Sequence, residues 1–227
     1  MSLRGEFVST EEAARILGVT VQHVRRLVDS GELTRIARGL IDRSSVERYL
    51  TERQGGRTRA WAEHTAWGAI ALLSGNTPAW LGPVQASRLR SALRDITDPA
   101  DILARTRDRA KVHTFTAHPA AVTRLMDSMA VTDHAALGLA IGPGEPGAAE
   151  GYLAADTLDA TVRSLGLRND PDGDVVIRST GFDFDVVTDL ASRSVTLAAL
   201  DAAASLDPRV RGVGQRALAE ILEGYRR

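Results

Sequence analysis

The stretch that most constrains this chain is residues 9–50, STEEAARILGVTVQHVRRLVDSGELTRIARGLIDRSSVERYL, where helix starts, helix stops and apolar spacing agree with one another. Ser9 and Glu12 have the S-x-x-E spacing of a capping box, in which two side chains satisfy the amides that a helix start leaves free. Ala13, Ala14, Ile16 and Leu17 supply an apolar face for the first helix. Gly18-Val19 breaks it, because glycine tolerates the backbone angles of a tight turn. Thr20 is placed to cap a second helix, Val21 to Ser30, whose Val21, Val24, Leu27 and Val28 fall at three- and four-residue spacing and form one buried stripe. Gly31 is expected to stop it as a C-terminal cap.

The other side of that second helix carries Gln22, Arg25, Arg26 and Asp29, with His23 beside them. Arginine makes a bidentate contact to guanine and glutamine to adenine. The residues nearest the N-terminus of such a helix reach the base edges. Gln22, Arg25 and Arg26 therefore rank first as base-reading residues and His23 next, with Thr20 at the helix start. A solvated face is the plain alternative for an arginine pair. Two capped helices joined by a short glycine turn are the more specific geometry, and they favour nucleic acid. Leu33–Ile36 and Leu40–Asp42 then read as short strands around Arg38-Gly39, a hairpin wing in which Gly39 supplies the turn. Arg35, Arg38 and Arg43 are its candidate phosphate contacts. Ser44 and Glu47 repeat the capping spacing and predict a third helix, with Val46, Tyr49 and Leu50 packed back onto the first two.

These runs, Ser9–Ala14, Leu17–Thr20, Val24–Leu27, Gly31–Leu33 and Val46–Leu50, resemble the excisionase and MerR-like winged-helix DNA-binding domains. The resemblance covers about the first quarter of the chain. It implies double-stranded DNA as partner, with the second helix in the major groove and the wing along the backbone or minor groove.

Charge is distributed in keeping with this. The chain has a net charge of −1, yet residues 1–60 carry +3, residues 61–111 carry +2 and residues 112–227 carry −6. A basic head attracts phosphate where the attraction is wanted. Lys111 is the single lysine, and there is no cysteine, which excludes disulfides and Cys-based zinc sites. The first residues lack the apolar core of a signal peptide, and no run approaches membrane-spanning length, so a cytoplasmic location is expected.

The remainder reads as helices and then as mixed structure. Gln54–Arg57 is a glycine-containing linker. A helix is expected from about Arg57 to Leu73 with Trp61 and Trp67 buried, another from Pro83 to about Ile96, and a third opened by Asp98-Pro99 and running toward Arg107. Arg88, Arg90, Arg94, Arg105, Arg107, Arg109 and Lys111 form a second basic cluster, either a solvated face or an extended footprint. Strands are expected at Val112–Ala117, Ala135–Ile141, Glu150–Leu153 and Asp174–Arg178. Helices are expected at Ala120–Met129, from an Asp156 cap to Leu165, from Ser192 or Ser194 to Ala204, and from Asp207-Pro208 to about Tyr225. The class is α+β. The expected domains are a winged helix-turn-helix at 1–54, a helical connecting segment at 57–111 and an α+β partner-binding domain at 112–227.

Within the last of these, Glu150–Leu153, Leu158–Arg163, Asp172–Arg178, Leu200–Ala203 and Asp207–Arg211 are similar to AbiE-type antitoxins. That similarity implies repression of the chain's own operon and a cognate toxin as protein partner, a nucleotidyltransferase. A phage recombination directionality factor is the alternative for the DNA-binding head, although such proteins are little more than a winged helix.

No chemical motif stands out. Gly142–Gly147 matches G-x-G-x-x-G literally, but its two prolines and following strand are wrong for a phosphate loop opening a helix. Asp170, Asp172 and Asp174 lack the glycine and glutamate of a calcium loop. His113, His118, Asp133 and His134 have no metal-ligand spacing. Asp183, Asp185 and Asp189 leave a metal-dependent nucleic-acid enzyme as a further alternative. No cofactor and no catalytic residue are expected.

Overall fold

A computed structural model describes residues 7–30, 32–43, 45–46, 49, 58–139, 148–171, 173–205 and 207–227. The chain divides into two compact units, Met1–Arg57 and Thr58–Arg227. The fold is α+β, as the sequence predicts.

The first unit opens with a strand outside the 9–50 pattern. β1 (Phe7–Ser9) pairs antiparallel with β3 (Leu40–Asp42), which pairs antiparallel with β2 (Arg35–Ala37). Between β1 and β2 lie α1 (Thr10–Leu17) and α2 (Val21–Asp29). The expected caps are present. Ser9 Oγ accepts the Glu12 amide at 3.1 Å, and Thr20 Oγ1 accepts the His23 amide at 3.2 Å. Gly18 closes α1 at φ 62° with its N–H on the carbonyls of Ala14 and Arg15. Any other residue would be strained at that angle. Ala13, Ala14 and Leu17 from α1, Val24 and Leu27 from α2, and Val8, Leu33, Ile41 and Val46 form the core.

Gly31 lies outside the described residues, and α2 ends at Asp29, with Ser30 donating its hydroxyl to the Leu27 carbonyl at 3.2 Å. Ser44, Glu47 and Leu50 also lie outside them. At the turn before Ser45 it is Asp42 whose Oδ2 accepts the Ser45 amide at 3.0 Å. The carboxylate two residues upstream of Ser44 thus takes the capping geometry, and Ser45 Oγ accepts the Thr34 amide at 3.1 Å.

The second unit is built on a four-stranded sheet of β4 (Lys111–Thr116), β5 (Ala149–Ala154), β6 (Arg168–Asn169) and β7 (Val175–Thr180), in the order β5-β7-β4-β6. β5 runs parallel to β7, and the other pairings are antiparallel. Its helices are α3 (Glu63–Leu73), α4 (Pro83–Asp95), α5 (Pro99–Arg105), α6 (Pro119–Met126), α7 (Leu158–Leu165), α8 (Phe184–Arg193), α9 (Val195–Ala203) and α10 (Pro208–Arg226). Alternation along the strands gives the sheet two apolar faces. Phe115, Leu153, Val175 and Ile177 meet Val122 and Leu125 of α6. Tyr152, on the opposite face, joins a larger core with Trp67, Ile70, Leu89, Leu93, Ile102, Leu200, Leu218 and Leu222. α9 is buried from Thr196 to Ala203. Gly214 of α10 lies so close to it that a Cβ would collide with the Ala203 backbone nitrogen.

That larger core draws on both sides of position 111–112, so the expected division there runs through packed side chains. Glu63 Oε1 accepts from Thr180 Oγ1 at 2.7 Å and from the Gly181 amide at 2.8 Å, and the Trp67 indole donates to Thr180 Oγ1 at 3.2 Å. The residues expected as a connecting segment hold the end of β7.

Three expected elements are corrected. The helix predicted from Arg57 begins at Glu63. Ala135–Ile141, expected as a strand, opens instead with a 3-10 turn at His134–Leu137, whose N-terminus Asp133 caps by accepting the Ala135 amide at 2.9 Å and which Gly138 ends at φ 67°. Alanine, leucine and glycine there supply no β-branched side chain before residue 140, where the described residues stop. α7 begins at Leu158 rather than at an Asp156 cap, and Thr157, its N-cap, gives it no side-chain hydrogen bond. One helix is additional: Asp183 accepts the amides of Asp185 and Val186 and so starts α8, ahead of the helix expected from Ser192 or Ser194, which is present with Ser194 as its cap.

Candidate nucleic-acid interface

α2 carries out two tasks on two faces. Val24 and Leu27 are buried and Val21 and Val28 half-buried, which fixes the rotation of the helix. Gln22, Arg25 and Arg26 are left exposed, His23 is half-buried, and Thr20 is exposed at the capped end. Among the described residues Arg25, Arg26 and Arg38 have no acidic partner. Cations that no protein carboxylate neutralises remain available to phosphate or to a guanine edge.

The wing is a β2–β3 hairpin turning at Arg38-Gly39, with Gly39 at φ 80°. Arg35, Arg38 and Arg43 are all exposed. Arg35 has an acidic neighbour on α2. Its Nη2 lies 3.4 Å from Asp29 Oδ1 at the end of α2. An exposed pair of this kind contributes little to stability, but it joins the helix to the hairpin. The sequence offered no signal for it, since Asp29 reads there only as part of a polar face.

The second basic cluster does not assemble as one surface. Arg88 and Arg94 are exposed on α4 and Arg90 is half-buried. Arg105 lies over the Trp61 ring at 5.5 Å. Arg107 donates to the carbonyls of Thr58 and Ala104. Arg109 is buried and turned inward: its Nη2 donates to Asp201 Oδ1 at 2.8 Å and its Nε to Tyr152 Oη at 2.9 Å. Tyr152 Oη donates in turn to Asp201 Oδ1 at 2.7 Å, Thr132 donates to Asp201 Oδ2 at 3.2 Å, and Arg178 lies 3.3 Å from Asp201 and 2.6 Å from Glu150. Two guanidiniums and two carboxylates balance, which is how charge survives away from water. Burial alone would raise the Asp201 pKa, but Arg178, Arg109 and the hydrogen bonds from Tyr152 and Arg109 hold it below the usual carboxylate range. Burial pushes the Tyr152 hydroxyl well above its ordinary value.

The other singled-out residues have local partners. His113 Nε2 meets Ser179 Oγ at 2.8 Å, and His118 Nδ1 accepts the Ala120 amide at the start of α6. Asp189 pairs with Arg193 at 3.1 Å, and Asp170 accepts from Thr116 at 2.6 Å. Gly142–Gly147 and Asp172 lie outside the described residues. Among the described residues no group of three His, Asp or Glu side chains is arranged to hold a metal ion, and no helix is long and apolar enough to cross a membrane.

Residues 7–54 match the helix-turn-helix domain family. The match ends before residue 58, where the second unit begins. Together with the paired capped helices it supports an N-terminal helix-turn-helix DNA-binding domain. No curated protein and no solved structure matches the chain.

Proposed function

We propose that the chain is a sequence-specific DNA-binding transcriptional regulator of the cytoplasm and not an enzyme. Gln22, Arg25 and Arg26 read bases in the major groove, and Arg38 and Arg43 hold the backbone. The observation that carries this is the division of α2: Val24 and Leu27 lock one face into the core, while the opposite face presents exposed Gln22, Arg25 and Arg26. The second unit, Thr58–Arg227, has cores of its own. That is more than an excisionase-like architectural protein requires, and it suits a module that engages a protein partner. The finer reading, in which that partner is a nucleotidyltransferase-type toxin and the chain an autoregulating antitoxin, rests on the similarity of the short runs between Glu150 and Arg211 to AbiE-type antitoxins.

Selection from a randomised duplex library with the full chain tests the regulator. A defined consensus is expected, and Arg25→Ala or Arg26→Ala should relax it at single positions. Recovery of no consensus, or of the same one from both variants, refutes the assignment. Co-purification with the protein encoded next door tests the antitoxin reading separately.

A further inference from the structure

Gln22, Arg25, Arg26 and Asp29 stand at i, i+3, i+4 and i+7 and form one exposed stripe along α2, opposite to buried Val24 and Leu27. The first three are the base-reading residues proposed above. The fourth is an acid, its side chain 71% exposed, on a face that meets a polyanion.

Helix stability does not account for it. Asp29 is the last residue of α2, at the end of the macrodipole that disfavours an anion, while the first turn carries no acid. Nor does Asp29 neutralise Arg25, which stands four residues earlier on the same stripe, a spacing that lets side chains meet. Arg25 has no acidic partner. The carboxylate meets the hairpin instead, where Arg35 Nη2 lies 3.4 Å from Oδ1. Arg35 is fixed at its backbone end, since it pairs with Ile41, which is buried.

The result is an acid held at the edge of the reading face with a guanidinium beside it. The pair has no net charge, so it approaches phosphates without the repulsion that a lone carboxylate would meet. Arg35 occupies one oxygen, and a carboxylate has about four acceptor sites. In the major groove such an acceptor suits cytosine, whose N4 amine is a donor. Guanine N7 and O6 and thymine O4 are acceptors that repel it, and adenine sets its N7 beside its amine. Asp29 lies about 10 Å further along the helix axis than Gln22, so it addresses a different base pair, at one edge of the site. We infer that Asp29 is a fourth base-reading residue, which accepts from the exocyclic amine of a cytosine, and that Arg35 is its positioning residue. This rests on the DNA-binding reading above and names the base that this end of α2 takes.

The test is selection from a randomised duplex library with the full chain, followed by anisotropy at several salt concentrations on the selected duplex and its single-base variants. The wild type should prefer cytosine at one edge position by about tenfold. Asp29→Ala should lose that preference and keep the rest of the consensus. Asp29→Asn should exchange it for adenine, because a side-chain amide pairs with adenine N6 and N7. Arg35→Gln should weaken the preference at the same position and at no other. Both side chains are more than half exposed, so circular dichroism should show all variants folded. An unchanged consensus in Asp29→Ala would overturn the inference while leaving the regulator intact. If that result comes with tighter binding to every duplex and a salt slope steeper by about one, Asp29 is a counter-charge and reads nothing. Relaxation at every position in a folded Asp29→Ala would also refute it, by giving Asp29 a role in holding α2. A wild type that selects no consensus would overturn both readings.

Discussion

The Tyr152 hydroxyl donates to Asp201 Oδ1 at 2.7 Å, between a strand and a helix that are both buried. Asp201→Asn should be strongly destabilising, by about 3–5 kcal/mol, since it leaves Arg109 and Arg178 without their shared counter-charge. Tyr152→Phe removes one hydroxyl and should cost about 1–3 kcal/mol. Urea unfolding of the full chain, followed by tryptophan fluorescence from Trp67 beside Tyr152, measures both. If Asp201→Asn unfolds at the wild-type midpoint, the cluster is not what holds β5 to α9.

The same pair sets two limbs of a pH profile. Asp201 is held below its ordinary pKa, so an unfolded chain takes up its proton first. The stabilisation is present above about pH 4 and is lost as the pH falls through the folded value. Tyr152 is shifted up, so the unfolded hydroxyl ionises first and stability declines above about pH 10. Tyr152→Phe should flatten the alkaline limb and weaken the acid one only in part, since Arg178 and Arg109 still hold Asp201 down. Midpoints measured across pH check this, and an unchanged alkaline limb in Tyr152→Phe would count against it.

Base-reading and phosphate-holding residues should separate in the salt dependence of binding. Arg26→Ala is expected to lose about 1–3 kcal/mol of discrimination between selected and scrambled duplexes. Arg38→Ala should weaken both duplexes alike and lower the salt slope by about one. Fluorescence anisotropy at several salt concentrations distinguishes them.

The turn between α1 and α2 is a fourth test. Gly18→Ala forces a side chain to φ 62° and should cost about 1–2 kcal/mol, although nothing lies within 4 Å of the added methyl. Thr20→Ala removes the α2 cap, at a cost of about 1 kcal/mol. Both should lower DNA affinity along with the stability of the first unit and leave the unfolding of the second unaltered. Differential scanning calorimetry resolves the two transitions.

How legible each of these features was depended on distance along the chain. Ser9, Thr20, Asp98 and Asp207 cap helices that begin at the next residue, and their side chains bond amides two or three positions on. Such pairs are visible in a sequence because the geometry is local. The exposed face of α2 was visible for the same reason: its buried stripe fixes it. Arg109 was read as part of a basic surface, because its partners Tyr152 and Asp201 stand 43 and 92 residues away. The strand β1 escaped the reading since three residues show too little alternation, and Arg35 was grouped with Arg38 because its contact to Asp29 crosses from one element to another. Asp42 accepts the Ser45 amide, a contact three residues on that the sequence does not single out because aspartate and serine are both good caps.

Fragments should follow the packing. Residues 58–227 should unfold in one cooperative transition when expressed alone, as their cores are complete. Residues 112–227 lack Trp67, Ile70, Leu89, Leu93 and Ile102, all at 0–3% exposure in the larger core. That fragment should be collapsed without fixed packing, with dye-binding apolar surface and weak near-ultraviolet dichroism. A sharp transition from 112–227 would restore the division at 111–112.

The position of β7 has a consequence for synthesis. It is the last strand made, yet it sits between β5 and β4, which share no hydrogen bonds with each other. While the chain leaves the ribosome, β4 has only the two-residue β6 as a strand partner and β5 has none in the sheet until β7 emerges, and the helix pair α9–α10 that closes the core follows later still. The first unit is finished within its own first quarter of the chain and can fold as it appears. From the emergence of β4 until β7 is complete, the nascent polypeptide is therefore a finished first unit followed by incompletely paired, aggregation-prone β-segments. A chaperone that binds extended apolar chain should meet this protein between the emergence of β4 and that of α10.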